Sequence, residues 1–200
     1  MRKIFSLCSA LIICSVWVPE GAAEEDRDAA PFGLKWGMTT ADARSLGIDL
    51  QDAPIKEFGI TYGAAKLPKV IADISTVIVS FGFDDRLWRI AAISKEFPND
   101  PYGAATKERY SELVRILGEK YGRGVQHHQD APYRKPEYFL MEINGGRAWD
   151  YTDYSTSTLW IQIALAAKDS STGYYRIIFE NRSLGSDFQN SKKLREKNAL

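Results

Sequence analysis

The strongest constraint in the sequence is a pair of alternating runs in its second half. Leu159, Ile161, Ile163 and Leu165 take every second position of residues 156–167, and Tyr175, Ile177 and Phe179 do the same in 174–181. A period of two sends successive side chains to opposite faces of an extended chain, so each run predicts a strand with one buried face. Val77, Val79, Phe81 and Phe83 predict another over 74–83. Asp84-Asp85-Arg86 then supplies turn chemistry and 87–97 returns with the same period, which predicts a β-hairpin. Phe58, Ile60 and Tyr62 alternate with Gly59, Thr61 and Gly63, a strand weakened by glycine. A sixth strand is expected over 137–151, bent at Gly145-Gly146.

One long segment has the helical period. Across 105–121, Tyr110, Leu113, Val114, Leu117 and Tyr121 form a single stripe, and Glu108, Glu112, Arg115, Glu119 and Lys120 lie opposite. Gly122 and Gly124 end it. A two-turn helix over 41–46 is expected after the capping residues Thr39 and Thr40, stopping at Gly47. The order is helix and three strands, twice. It predicts a two-layer α+β fold: an antiparallel sheet of about six strands, helices on one face, and halves at 31–100 and 101–182. No residue-level repeat relates the halves. Residues 126–136 read as a polar loop and 183–200, with Lys192-Lys193-Leu194-Arg195-Glu196-Lys197, as a solvated tail.

Residues 1–23 have the layout of a secretory signal: Arg2 and Lys3, an apolar run from Ile4 to Val18, then Pro19 and Gly21-Ala22-Ala23, with cleavage expected after Ala23. The run is shorter than the ~20 residues of a permanent membrane helix, so no stable membrane insertion is expected once it is removed. Cys8 and Cys14 lie inside it. Lipidation at either is disfavoured because Leu7 and Ile13 precede them where a small residue is required. Residues 24–30 read as a charged, flexible leader, and 31–182 as one domain. From residue 24 onward there is no cysteine, which excludes disulfides and thiol chemistry. Removing Arg2, Lys3 and Glu20 from 26 basic and 26 acidic residues leaves a net charge of −1, which argues against a nucleic-acid partner.

Candidate chemistry is sparse. The two histidines, His127 and His128, are adjacent with Asp130 two places on. In a strand their rings face opposite sides, and in a loop further ligands would have to come from elsewhere, so they read as solvated residues and no metal or cofactor is expected. Glu142 and Asp150 form a candidate carboxylate pair, set against the common case of solvated acids at strand ends. No Gly-x-Ser-x-Gly and no phosphate loop is present, and a turn accounts for Asp84-Asp85. The most informative feature is aromatic. Trp160 falls opposite Leu159 and Ile161, beside Thr158 and Gln162. Either the helix layer or the tail covers it, or it joins Trp149, Tyr151 and Tyr154 in an exposed patch for a protein, peptide or glycan.

The segment Phe32-Gly33-Leu34-Lys35-Trp36-Gly37-Met38-Thr39-Thr40-Ala41-Asp42-Ala43 resembles the Gly-x-x-Trp-Gly-Met-Ser/Thr opening of secreted bacterial proteins. With the hairpins that follow, it also resembles the two-layer modules of the β-lactamase inhibitory protein and of the small lipoprotein of the outer-membrane β-barrel assembly machinery. The resemblance implies a periplasmic α+β module that acts by contact. The expectation is a non-catalytic binding or envelope-assembly module whose partner is an envelope protein or glycan. The alternatives are an inhibitor or immunity-type protein directed at an exported enzyme, and a metal- or carboxylate-dependent hydrolase.

Overall fold

The computed structural model describes residues 27–53, 55, 57–130 and 135–199; the expected signal and residues 24–26 of the leader lie outside them. The alternating segments form strands β1 (Asp49–Asp52), β2 (Thr61–Ala65), β3 (Ile74–Ser80), β4 (Arg89–Ser94), β5 (Val125–Gln129), β6 (Trp149–Ser155), β7 (Leu159–Ala167) and β8 (Gly173–Asn181). Four helices accompany them: α1 (Thr40–Ser45), α2 (Ala104–Tyr121), α3 (Phe139–Asn144) and α4 (Arg182–Ala199). All eight strands join one antiparallel sheet in the order β1-β2-β3-β4-β8-β7-β6-β5. Two four-strand meanders therefore meet at their last strands, β4 and β8.

The α+β class stands, with eight strands in place of about six. β1 and β5 are the added pair, and they are the two sheet edges. β5 is wet on both faces and β1 turns only the half-buried Leu50 to the core, so neither carries the alternation that marks a half-buried strand; the expected loop at 126–136 begins instead as β5. The expected strand over 137–151 is corrected as well. Pro136 opens a single helical turn, α3 follows, and β6 starts only at Trp149. Leu140 is fully buried in α3. The expected tail is the helix α4, begun where the Leu184 amide donates to the Asn181 side chain (3.1 Å).

The core lies between one sheet face and α2. Val79, Ile90, Phe179, Ile161 and Tyr154 stand in register across five strands. The α2 stripe of Tyr110, Leu113, Leu117 and Tyr121 buries onto that face. Large apolar side chains of this kind each contribute about 1.5–3 kcal/mol. The opening segment covers the same face: Phe32 meets Phe179 edge-on at 6.4 Å, and Gly37 and Met38 exchange backbone hydrogen bonds with Leu87 (both 2.9 Å). Gly33 sits at φ 77°, where a Cβ would stand 2.8 Å from Pro68 Cβ. Thr39 and Asp42 close a capping box at α1. Asp73 joins the halves. It accepts from Arg109 of α2 (2.6 and 3.0 Å) and from the Tyr175 hydroxyl of β8 (2.6 Å).

Candidate functional site

The face turned away from α2 carries the polar and aromatic residues of β5, β6 and β7. On β6 the odd positions Trp149, Tyr151, Asp153 and Ser155 point there, since Tyr154 stands in the core row. On β7 the corresponding positions are Trp160, Gln162 and Ala164. Register aligns them as Tyr151 beside Ala164, Asp153 beside Gln162, and Ser155 beside Trp160. Next across the sheet come Arg176, Ile178 and Glu180 of β8. Glu180 pairs with Arg89 (2.9 Å), and Phe58 of the loop before β2 lies 3.9 Å from that guanidinium.

Three of the four expected site residues share this face. Trp149 is 41 % exposed, and Tyr151 and Trp160 are half-buried. Tyr154 is the correction: it is 2 % exposed, its ring belongs to the core, and its hydroxyl donates to Val114 O (2.7 Å). Tyr151 and Tyr154 are an odd number of positions apart on one strand, so they cannot share a face. Trp160 stands beside α4 at the rim of a groove, half covered.

Hydrogen-bond accounting separates the tryptophans. Trp36 Nε1 donates to Asp28 O (3.2 Å) and Trp88 Nε1 to Phe58 O (3.3 Å). Neither Trp149 nor Trp160 donates to any described group, and no buried donor is left unpaired among the described residues. The Trp160 donor is therefore open to solvent, and the Trp149 donor has no partner among the described residues.

His127 and His128 lie on β5 with their rings on opposite faces. His127 stacks on Tyr151 (4.6 Å between centroids, 16° between planes) and its Nε2 is 3.3 Å from Asp153, whose other oxygen accepts from Gln162 (3.1 Å). His128 meets Asp130 (2.9 Å) and Asp150 (3.4 Å) on the α2 side. There Asp150 also accepts from Tyr110 (3.2 Å) and Gln126 (3.0 Å), and burial pushes the Tyr110 hydroxyl above its ordinary pKa. Both imidazoles thus meet carboxylates; neither meets a hydroxyl nucleophile among the described residues. No group of three or more His, Cys, Asp or Glu there converges to hold a metal. Glu142 is fully buried and takes Arg147 at 2.6 and 3.2 Å, so it serves a different partner from Asp150 and the candidate pair is not assembled.

The Tyr151–His127–Asp153–Gln162 cluster has no signal in the sequence because it depends on β5, and the groove beside α4 has only a local one because it depends on the docking of that helix. Asn181 before Leu184 and Phe188 was the trace that could have revealed the latter. Comparison of the chain with known protein families, with curated proteins and with solved structures finds no match.

Proposed function

We propose that the chain is an exported, non-catalytic binding module of the bacterial envelope, which holds an envelope protein or glycan on the face of β5–β7 opposite α2. The observation that carries this reading is the grouping of Trp149, Tyr151 and Trp160 on one face with two indole donors unspent. Aromatic side chains that combine a large apolar area with a free polar edge are the residues that dominate binding hot spots. Neither histidine has a hydroxyl nucleophile beside it among the described residues, which supports a role by contact over hydrolysis. The opening around Trp36, with its N–H spent internally, supports a structural part for that segment.

The test is photo-crosslinking in intact producing cells, with a photoreactive residue at position 149 and, as reference, at Glu119 on the exposed side of α2. A discrete adduct from position 149 that is absent from position 119 is expected. It should fade in a Tyr151→Ala background whose thermal midpoint is unchanged. Equal labelling from both positions, or labelling indifferent to Tyr151→Ala, refutes the reading.

A further inference from the structure

We infer that the groove between α4 and the sheet is a binding site for an acidic saccharide. This rests on the reading of the chain as a binding module and names a ligand class and a subsite for it.

The groove encloses about 550 Å³ and is walled by Trp160, Asn181, Arg182, Gln189, Asn190 and Lys193. That volume lies within the usual range of ligand clefts, roughly 300–1,000 Å³. Trp160 brings a half-exposed indole whose N–H has no described partner. Gln189, Asn190 and Lys193 take part in no described hydrogen bond or ion pair. Arg182 is held in place: its Nε donates to Leu159 O (3.1 Å) and one terminal nitrogen to Ser155 Oγ (2.7 Å), so its charge is fixed at the groove before any ligand arrives. Among the described residues the one acid in the wall, Glu180, is neutralised by Arg89. The unopposed charges are thus Arg182 and Lys193, both positive.

This chemistry selects among ligands. β7 and β8 are hydrogen-bonded on both sides, so the groove offers no free strand edge to an extended peptide. Trp88 is 3 % exposed, which leaves Trp160 as the one accessible apolar surface, without a pocket for a peptide's apolar anchor. An indole face suits the C–H face of a pyranose ring, two side-chain amides suit its hydroxyls, and two cations suit a carboxylate or sulfate on the ring.

The test is calorimetric titration of the full chain, as exported and processed, with tetragalacturonate, a heparin tetrasaccharide, neutral cellotetraose and tetraglutamate. Saturable binding of at least one acidic saccharide is expected, with cellotetraose about fivefold weaker and tetraglutamate weaker still. Lys193→Ala should weaken the acidic saccharide about fivefold and Lys193→Arg should restore it; Trp160→Ala should weaken it about thirtyfold. The Gln189 and Asn190 side-chain amide resonances should shift on binding, a readout that survives a poorly folded variant. Failure of both acidic saccharides, equal binding of cellotetraose or tetraglutamate, or indifference to Lys193→Ala overturns the inference. Those failures leave the crosslink from position 149 standing, because Lys193 plays no part in it.

Discussion

Phe188→Ala should release α4 while leaving the sheet folded. Phe188 is 3 % exposed and is the single buried side chain of this 18-residue helix. It stacks on Trp88 (4.8 Å, 18°) and on Phe83 (5.1 Å, 27°). Burying a phenylalanine contributes about 1.5–3 kcal/mol. Each ring pair adds about 0.5–1.5 kcal/mol, for a loss of about 3–5 kcal/mol on truncation. An isolated helix of this length is marginal in water, so docking at Phe188 is what holds α4 helical. The variant should therefore raise local opening of α4 by about two to four powers of ten. Amide hydrogen exchange reads this directly: amides of α4 should lose that protection, while Ile161 on β7 and Ile177 on β8 keep theirs. Leu194→Ala, at a position 60 % exposed on the same helix, should change protection by less than about 0.5 kcal/mol. Unchanged α4 protection in Phe188→Ala would refute the reasoning, as would equal loss in α4 and β7.

Gly173→Ala should destabilise the fold by about 1–3 kcal/mol in urea unfolding, because a Cβ there would stand 2.3 Å from the Oγ1 of fully buried Thr106; Thr106→Ala in the same chain should recover part of the loss. Asp73 is held below its usual carboxylate range first by Arg109, with burial opposing and the Tyr175 hydroxyl adding to the lowering. Its folded value lies under the unfolded one, so its contribution is full above about pH 4 and is lost as pH falls through the folded value. Asp73→Asn should thus be less stable than the parent at pH 7 and converge with it in acid. Arg147→Ala should cost about 1–3 kcal/mol by stranding the buried Glu142 carboxylate, and adding Glu142→Gln should return part of that, both read from the thermal midpoint. Trp36→Phe and Trp88→Phe should each cost about 0.5–1.5 kcal/mol for the lost N–H bond, whereas Trp149→Phe and Trp160→Phe should stay within about 0.5 kcal/mol of the parent.

What could be read in the sequence follows from which residues meet a buried face. β3, β7, β8 and α2 each bury one side and expose the other, so Val77, Ile161, Ile177 and Leu117 print a period. β5 has no dry face, and Val125 to Gln129 therefore show none. α1 was legible through its cap, Thr39 with Asp42, which is a local signal that needs no tertiary contact. α4 buries a single phenylalanine on partners a hundred or more residues earlier in the chain, and one residue carries no period. In α3, Phe139, Leu140 and Ile143 have helical spacing, but Gly145-Gly146 reads equally well as a bend between strands. The site obeys the same rule: the face of Trp160 is legible in its own strand's alternation, while Tyr154 is close to Tyr151 in sequence but opposite to it by the parity of the strand.

The two meanders use their outer surfaces differently. In the first, the loop before β2 laps onto Arg89 through Phe58, and Trp88 closes its indole N–H on the same residue's carbonyl. That part of the face is occupied by the chain itself. In the second, β5 to β7 carry Trp149, Tyr151 and Trp160; His127, Asp153 and Gln162 bond to one another, and Ser155 accepts from Arg182 of α4. An indole whose donor is satisfied internally does structural work, because losing it strands a carbonyl; an indole whose donor faces water has no such stake in the fold. Trp149 and Trp160 stand half-exposed on the outer face, and among the described residues the fold gains no hydrogen bond from either indole. The proposed binding role gives both indoles a use that the fold does not.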